Sequence, residues 1–391
     1  MAKQVGIMSM QRIVNYGSSL QAYGLKRLVE EVDPSATVRF VDYRPGHRAA
    51  AEDAAHGLSR KLSALRKRLS VEAPVVDRLR YYNQMRQHAL GHRRHYAAKN
   101  FAMLGIPASP DHDLSVDLQI IGSDEVFNCL QENPDVGYSR DLFGHGSRAS
   151  RLVSYAASFG NTTVDKLAAA GLADEVAADL ARFAHISVRD QNSADVITSL
   201  VGQVPEIHVD PVLAYDFMAE ESAIPTRRMH DREYLIVYAY PGRLSAAENE
   251  AIRRFADGHG LEVLAFGGAH LCADRFIDCD PFELLAYFRD AAAVVTDTFH
   301  GTIFSLINTR PFITLVRTSV GHGYGNEEKL GHLLRTFGLE RRGSVEITDL
   351  ARRMAEPIDY SQVAQGLARE RERSRRYLAA VLADDVVSQP S

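Results

Sequence analysis

The chain has little cysteine, no long apolar run and no excess of positive charge, and each shortage removes a class of protein. Three cysteines, Cys129, Cys272 and Cys279, are too few and too scattered for a disulfide frame. Cys272 and Cys279 lack a second close-spaced pair, so no zinc site is expected. Free cysteines of this kind are ordinarily small buried residues. No apolar run reaches membrane-spanning length. The first residues, MAKQVGIMSM, lack the basic-then-apolar layout of a signal peptide, so a cytosolic location is expected. A formal net charge of -5 argues against a dedicated nucleic-acid binder. Internal repeats and low-complexity tracts are also missing.

What is there suits a globular protein of two domains. The chain has 391 residues, and each half is long enough to bury a core. A composition of 46% hydrophobic and 24% charged residues excludes a disordered or fibrous chain and leaves an enzyme or a binding protein.

Short apolar runs alternate with helical stretches. KQVGIMSM reads as a strand, and SSLQAYGLKRLVEEV then puts Leu20, Tyr23, Leu25, Leu28 and Val32 mostly on one helical face. TVRFVDYRP, VDLQIIGSD, RLVSYAASFG, ISVRD and EIHVDPVLAY continue the strands. Around residues 218–230 the apolar period lapses, which reads as a linker. A second series follows: REYLIVYAY, a helix from Ala246 to Gly258, LEVLAFGG, a helix from Pro281 to Asp290, AAVVTD, a helix from His300 to Asn308, and RPFITLV. The expected architecture is α/β, with two Rossmann-like lobes facing across a cleft. The lobes are placed at residues 1–220 and 231–355, with a charged terminal helix, 356–391, packing back across both. In such sheets ligands bind beyond the carboxyl ends of the strands.

The first lobe carries a basic helical insertion at about residues 46–100. Within it, Ser59 to Lys99 holds eleven Lys or Arg against two acids, Glu72 and Asp77, plus His88, His92 and His95. It reads either as a solvated helical excursion or as a face for anionic lipid headgroups or a lipid-pyrophosphate acceptor.

Four strand ends carry polar residues that folding alone does not require. Asn15, Tyr16 and Gly17 follow the first strand, and Ser18 or Ser19 could cap the next helix, whose N-terminus suits an anionic or hydroxyl-rich ligand. Gly122 allows a tight turn after the strand of Leu118, Ile120 and Ile121, and Ser123 and Asp124 follow, with Asp124 either a helix cap or a catalytic acid or base. Arg189 ends a strand and heads a helix, where its planar fork could hold a carboxylate or phosphate, or pair with Asp190 or a neighbour. In VVTDTFHGTIFSL, His300 stands at a strand exit rather than in mid-helix. Thr298 can cap there, the amides of Phe299 to Gly301 can meet an anion, and the imidazole can donate to an anion or move a proton near neutral pH.

VGIMSMQRIVNYGSSLQAYGLKRLVEE with VRFVDYRP, then DLQIIGSDEVFN, VSYAASFG, ISVRDQNSADVI, HVDPVLAY, VVTDTFHGTIFSLINTRPFITL and NEEKLGHLLRTFGLE, resemble the successive blocks of the polysaccharide pyruvyl transferase family. They occur in the family's order between residues 5 and 340. The resemblance implies a GT-B type fold and transfer of pyruvate from phosphoenolpyruvate to a sugar, often as a cyclic ketal. It implies a donor held by Arg189 and the triplet ending in His300. Well-understood members tend to have Arg-Leu-His at that triplet, whereas this chain has Thr298-Phe299-His300. Arg317, Lys329 or the basic segment are candidates to replace the arginine.

On this reading His300 moves a proton or contacts the donor anion, aided by Thr298, Phe299 and Gly301. Arg189 clamps the donor, Asp124 is a candidate base, and Asn15, Tyr16, Gly17 and Gln21 line the acceptor side. Phosphoenolpyruvate is a substrate, and no cofactor or metal is called for. Two rivals stand beside it: a sugar-nucleotide glycosyltransferase on the same fold, with Asp124 as base, and a non-catalytic binding subunit at a glycan-assembly membrane.

Overall fold

The computed structural model describes residues 2–47, 74–131, 133–220, 223–317, 326–347 and 349–383. The first sheet contains β1 (Gln4–Met8), β2 (Thr37–Phe40), β3 (Leu118–Ile121) and β4 (Arg151–Ser154) in the order β2-β1-β3-β4, every pair parallel. Bridges from Val153 to His185 and from Ala157 to Val188 attach the short parallel pair β5 (Ser187–Val188) and β6 (Glu206–Ile207) to its edge.

The second sheet contains β7 (Tyr234–Tyr238), β8 (Glu262–Phe266), β9 (Arg275–Phe276), β10 (Ala293–Thr296), β11 (Phe312–Leu315) and β12 (Gly343–Ser344). Its order is β12-β11-β10-β7-β8-β9, again all parallel. The expected α/β class with two parallel sheets is therefore present. Strands such as β3, β7 and β10 are buried at every position, because helices cover both faces. Each sheet reverses its winding at one crevice, between β1 and β3 in the first and between β7 and β10 in the second. Open α/β sheets bind ligands at such points.

Helices relevant below are α1 (Tyr16–Val32), α2 (Val75–Arg86), α3 (Arg93–Asn100), α4 (Gln191–Val201), α5 (Pro211–Ala214), α6 (Ala246–His259), α7 (Pro281–Asp290), α8 (Phe299–Ile307), α9 (Glu327–Thr336) and α10 (Tyr360–Ala383). The three helices forecast in the second series all form, with ends shifted by at most one residue. Capping explains the starts. Ser245 and Glu248 form a reciprocal box at α6, and Asp280 and Glu283 form another at α7. One apolar core joins the two sheets, running from Leu20 and Leu25 of α1 to Phe282 and Leu285 of α7 and Phe304 of α8.

The basic segment lies partly outside the described residues, which resume at Pro74. Its described part is no free-standing solvated excursion. Between α2 and α3, residues Gln87–His92 form a wider π turn. That turn keeps Tyr81, Gln84, His92, Tyr96 and Asn100 on one buried side. Gln84 Nε2 donates to the Ala273 carbonyl at 2.8 Å, and Gln84 Oε1 accepts from His270 N at 3.2 Å. Asp278 takes both Lys99 (2.6 Å) and His92 (3.0 Å), and Arg80 reaches Asp274 at 3.4 Å. Acidic residues flanking β9 thus draw this basic face onto the second sheet.

Helix α10 touches both halves. Gly366 lies against Phe337, while Tyr377 Oη donates to the Ser154 carbonyl at 2.8 Å and Arg371 pairs with Asp216 at 2.8 Å. Among the described residues, no helix is long and apolar enough to cross a membrane.

Candidate active site

The two crevices face each other, and the N-termini of α1 and α8 meet between them. Asn15 caps α1: its Oδ1 accepts from the amides of Gly17 (2.8 Å) and Ser18 (3.4 Å). The sequence pointed to Ser18 or Ser19 for this task. Instead Ser18 Oγ donates to Asp124 Oδ2 at 2.6 Å and Ser19 Oγ bonds Tyr96 Oη at 2.8 Å. Thr298 caps α8 by accepting from Gly301 N at 2.9 Å, so that amide is already used.

Gly17 packs directly on His300. A Cβ added to Gly17 would overlap Nδ1 and Cγ of the imidazole and stand 2.7 Å from its Cβ. Gly301 is equally confined, since an added Cβ would lie 2.7 Å from Thr298 Oγ1 and 2.7 Å from Tyr238 Cδ1. Only a hydrogen side chain at Gly17 lets the two helix ends approach this closely.

His300 and Arg189, expected to converge, do converge. The point of convergence is a protein carboxylate, Asp210, which the sequence reading did not single out. Arg189 Nη1 donates to Asp210 Oδ2 at 2.8 Å, and His300 Nε2 lies 3.4 Å from the same oxygen. The second distance is an ion-pair distance whose geometry falls short of a hydrogen bond, and His300 Nε2 has no hydrogen-bond partner. Ser123 Oγ donates to Oδ2 at 3.3 Å, while Oδ1 accepts from Val212 N at 3.0 Å and so caps α5. The signal for Asp210 was present in HVDPVLAY, where an Asp precedes a Pro at the first helical position.

Asp210 is fully buried in its side chain, Arg189 is 2% exposed and His300 is 10% exposed. Burial would raise the Asp210 pKa, but the His300 imidazole, the Arg189 guanidinium and the Val212 amide outweigh it and bring the value down to about 2. Burial also works against the Arg189 cation. Asp210, Asp124, Asp190 and Glu125 more than offset it and hold the guanidinium above its usual range. Arg189 further stacks on Phe299, 4.3 Å from the ring centroid, which explains that residue's place in the triplet. Its Nε is buried without a hydrogen-bond partner. Asp190, the partner suggested by adjacency, instead caps α4 and accepts from Ser158 Oγ at 2.6 Å.

Asp124 caps no helix. It lies in the left-handed region (φ 70), 3.7 Å from Arg189 Nη1, with its carboxylate also accepting from Glu125 N. The residues assigned to an acceptor side separate. Gly17 borders His300, and Asn15 caps α1 two residues before it. Tyr16 is turned away into the core, where its Oη donates to the Cys279 carbonyl at 2.8 Å. Gln21 is buried and holds the Ser123 turn, accepting from Ser123 N at 3.1 Å and donating to Ser9 Oγ at 2.6 Å.

Both side chains considered as replacements for the missing arginine are paired. Arg317 makes a two-pronged contact with Glu248 at 2.6 and 3.1 Å. Lys329, on α9, pairs with Glu125 at 2.5 Å and thereby links the second sheet's helices to the loop after β3. Burial raises the Glu125 pKa, but Lys329, Asn128 and Arg189 outweigh it and lower the value to about 2.

The family model for polysaccharide pyruvyl transferase matches residues 15–319. The chain belongs to the polysaccharide pyruvyl transferase family. Gly17, Ser123, Asp124, Arg189, Asp210 and His300 all fall inside that match, and the family points to a polysaccharide-related substrate. No curated protein matches the chain. Among solved structures it is similar to a putative UDP-N-acetylglucosamine 2-epimerase from Listeria monocytogenes, with TM-score 0.49, 10% identity, 97% of this chain covered and 96% of that one. It is also similar to UDP-GlcNAc 2-epimerase from Neisseria meningitidis (TM-score 0.46, 8% identity, 97% and 98% covered). A third similar structure is heptosyltransferase WaaC from E. coli (TM-score 0.34, 14% identity, 82% and 90% covered).

Proposed function

We propose that this member of the family transfers a pyruvyl group from phosphoenolpyruvate to a saccharide and forms a cyclic ketal. The observation that carries the reading is the meeting of Arg189 and His300 at Asp210, where the crevices of the two sheets face each other. In the reaction C3 of the enol gains a proton and C2 becomes cationic. A sugar hydroxyl oxygen adds to C2, and the bond from C2 to the phosphate oxygen breaks. A second hydroxyl closes the ring. One hydroxyl proton balances the new C–H bond, and the other leaves with inorganic phosphate.

In this scheme His300 handles the proton, and the unpartnered Nε of Arg189 offers a donor to the enol's carboxylate or phosphate. Asp124 is the base toward the acceptor. The N-terminal ends of α1 and α8 supply partial positive charge at the same place. The glycosyltransferase reading needs a sugar nucleotide instead, so the two are separated by substrate. The protein is incubated with phosphoenolpyruvate and saccharide acceptors, or with sugar nucleotides and the same acceptors. Acceptor-dependent phosphate release with the first set supports pyruvyl transfer, and turnover with the second set alone overturns it.

The acceptor is lipid-linked and met at the cytoplasmic membrane face, and the lobes divide near residues 220 and 231. Val75, Leu79, Tyr82 and Leu90 are exposed on the side of the α2–α3 segment opposite its buried side, with Arg86 and Arg94 exposed among them. An apolar stripe bearing arginines complements an anionic bilayer surface.

A further inference from the structure

Resting on the reading of His300 as the proton-handling group, we infer that Asp210 is a positioning residue that fixes the His300 tautomer with the proton on Nε2, leaving Nδ1 to exchange protons.

Four observations lead there. The Asp210 side chain has no solvent exposure and both of its oxygens are taken by protein groups, so it acts through them. Its Oδ2 faces His300 Nε2 at 3.4 Å, while the opposite edge of the ring, Nδ1 and Cγ, lies over Gly17. Asp210 is itself fixed from two more directions, by Arg189 at 2.8 Å and by Ser123 at 3.3 Å, and its other oxygen is held by the Val212 amide at 3.0 Å. Lastly, it is held as an anion by its cationic and N–H neighbours despite burial.

A fixed carboxylate facing one ring nitrogen selects the tautomer that places N–H toward it. The 3.4 Å separation is a loose form of that contact. Catalytic hydrogen bonds commonly tighten when substrate binds, and here the two partners hang from different sheets, so a small approach of one to the other closes the bond. Arg189 then has two tasks: it holds Asp210 in place with Nη1 and keeps Nε for the donor. Asp210 thereby sets the orientation of the imidazole without touching substrate.

Asp210→Asn tests this, with His300→Gln and the double variant alongside. Histidine labelled with a nitrogen isotope is followed by NMR in the full chain, the His300 signal being assigned by its loss in His300→Gln. The inference expects an Nε2–H tautomer in the wild type. In Asp210→Asn it expects loss of that preference, a fall in kcat of about tenfold or more, and KM within about threefold of wild type. The double variant is no slower than His300→Gln alone, because residues acting as a unit are not additive. An Nδ1–H tautomer in the wild type overturns the inference, and needs no variant to fold. A normal kcat in Asp210→Asn overturns it as well. If His300→Gln itself keeps wild-type turnover, the underlying reading of His300 fails; if His300→Gln is inactive and the wild-type tautomer is Nδ1–H, only the role of Asp210 fails.

Discussion

Gly17 and His300 share one volume: a β-carbon on the first would overlap the imidazole of the second. They are far apart in sequence and lie on helices that belong to different sheets. The contact makes α1 a floor for the ring, opposite the carboxylate of Asp210.

Gly17→Ala is therefore a substitution on one helix that acts on a side chain of another. The methyl group forces the imidazole out of its seat between α1 and Asp210. Displacement of a reacting group by about 1 Å costs about 10²-fold in rate, so turnover should fall by about that factor. Overpacking costs about 1–3 kcal/mol in stability. Steady-state kinetics with a thermal melt checks both. Normal turnover in a folded Gly17→Ala protein would show that the seat of the ring is unimportant.

Stability should fall on acidification in two stages. Burial holds His270 near pKa 4, against its Ala239 hydrogen bond, and burial also brings His88 and His208 to about 4. Folded values below the ordinary 6.5 mean that the unfolded chain takes up protons first, so stability declines as pH drops from about 6.5 towards 4. Asp210 and Glu125, depressed to about 2, stabilise the fold above the ordinary carboxylate range, and that contribution is lost as pH falls from about 4.5 to 2. Urea midpoints measured across this range should drop throughout. Glu125→Gln should flatten the lower stage, and an unchanged slope would remove the Glu125–Lys329 pair from the account.

Binding to vesicles containing anionic lipid should depend on the outward stripe of α2 and α3. Each cation near such a surface contributes about 1 kcal/mol. Arg86→Gln with Arg94→Gln should thus weaken sedimentation with anionic vesicles by about tenfold or more, with no effect on catalysis of a soluble acceptor. Equal binding by wild type and variant would assign those arginines to solvent.

Much of the architecture is legible in the sequence because it rests on local signals. Apolar runs such as LIVY and AVV between capped helices give the strands, and Asp280 ahead of Pro281 gives the start of α7. The site is only partly legible, since its geometry comes from long-range contacts. Arg189 and His300 stand at strand exits, a position that sequence reveals. That they meet on Asp210 depends on how the two sheets pack, which no local pattern encodes. Tyr16 illustrates the opposite error: it neighbours two site residues in sequence, but the helical turn points it toward Cys279.

The basic segment shows why composition misleads. A run of cations reads as solvent-facing, and Arg86, Arg93, Arg94 and Lys99 are exposed, yet the side bearing Tyr81, Gln84 and His92 is buried and Asp278 anchors it through His92 and Lys99. The opposing acids follow far along the chain and are invisible to a window of charge.

The most direct measurement is transfer of labelled pyruvyl carbon from phosphoenolpyruvate to a saccharide by the wild type and by His300→Gln, each verified as folded. The account predicts acceptor-dependent transfer with equal release of inorganic phosphate in the wild type, and a loss of about 10² to 10⁴ in the variant. Transfer by the variant within threefold of wild type would contradict it.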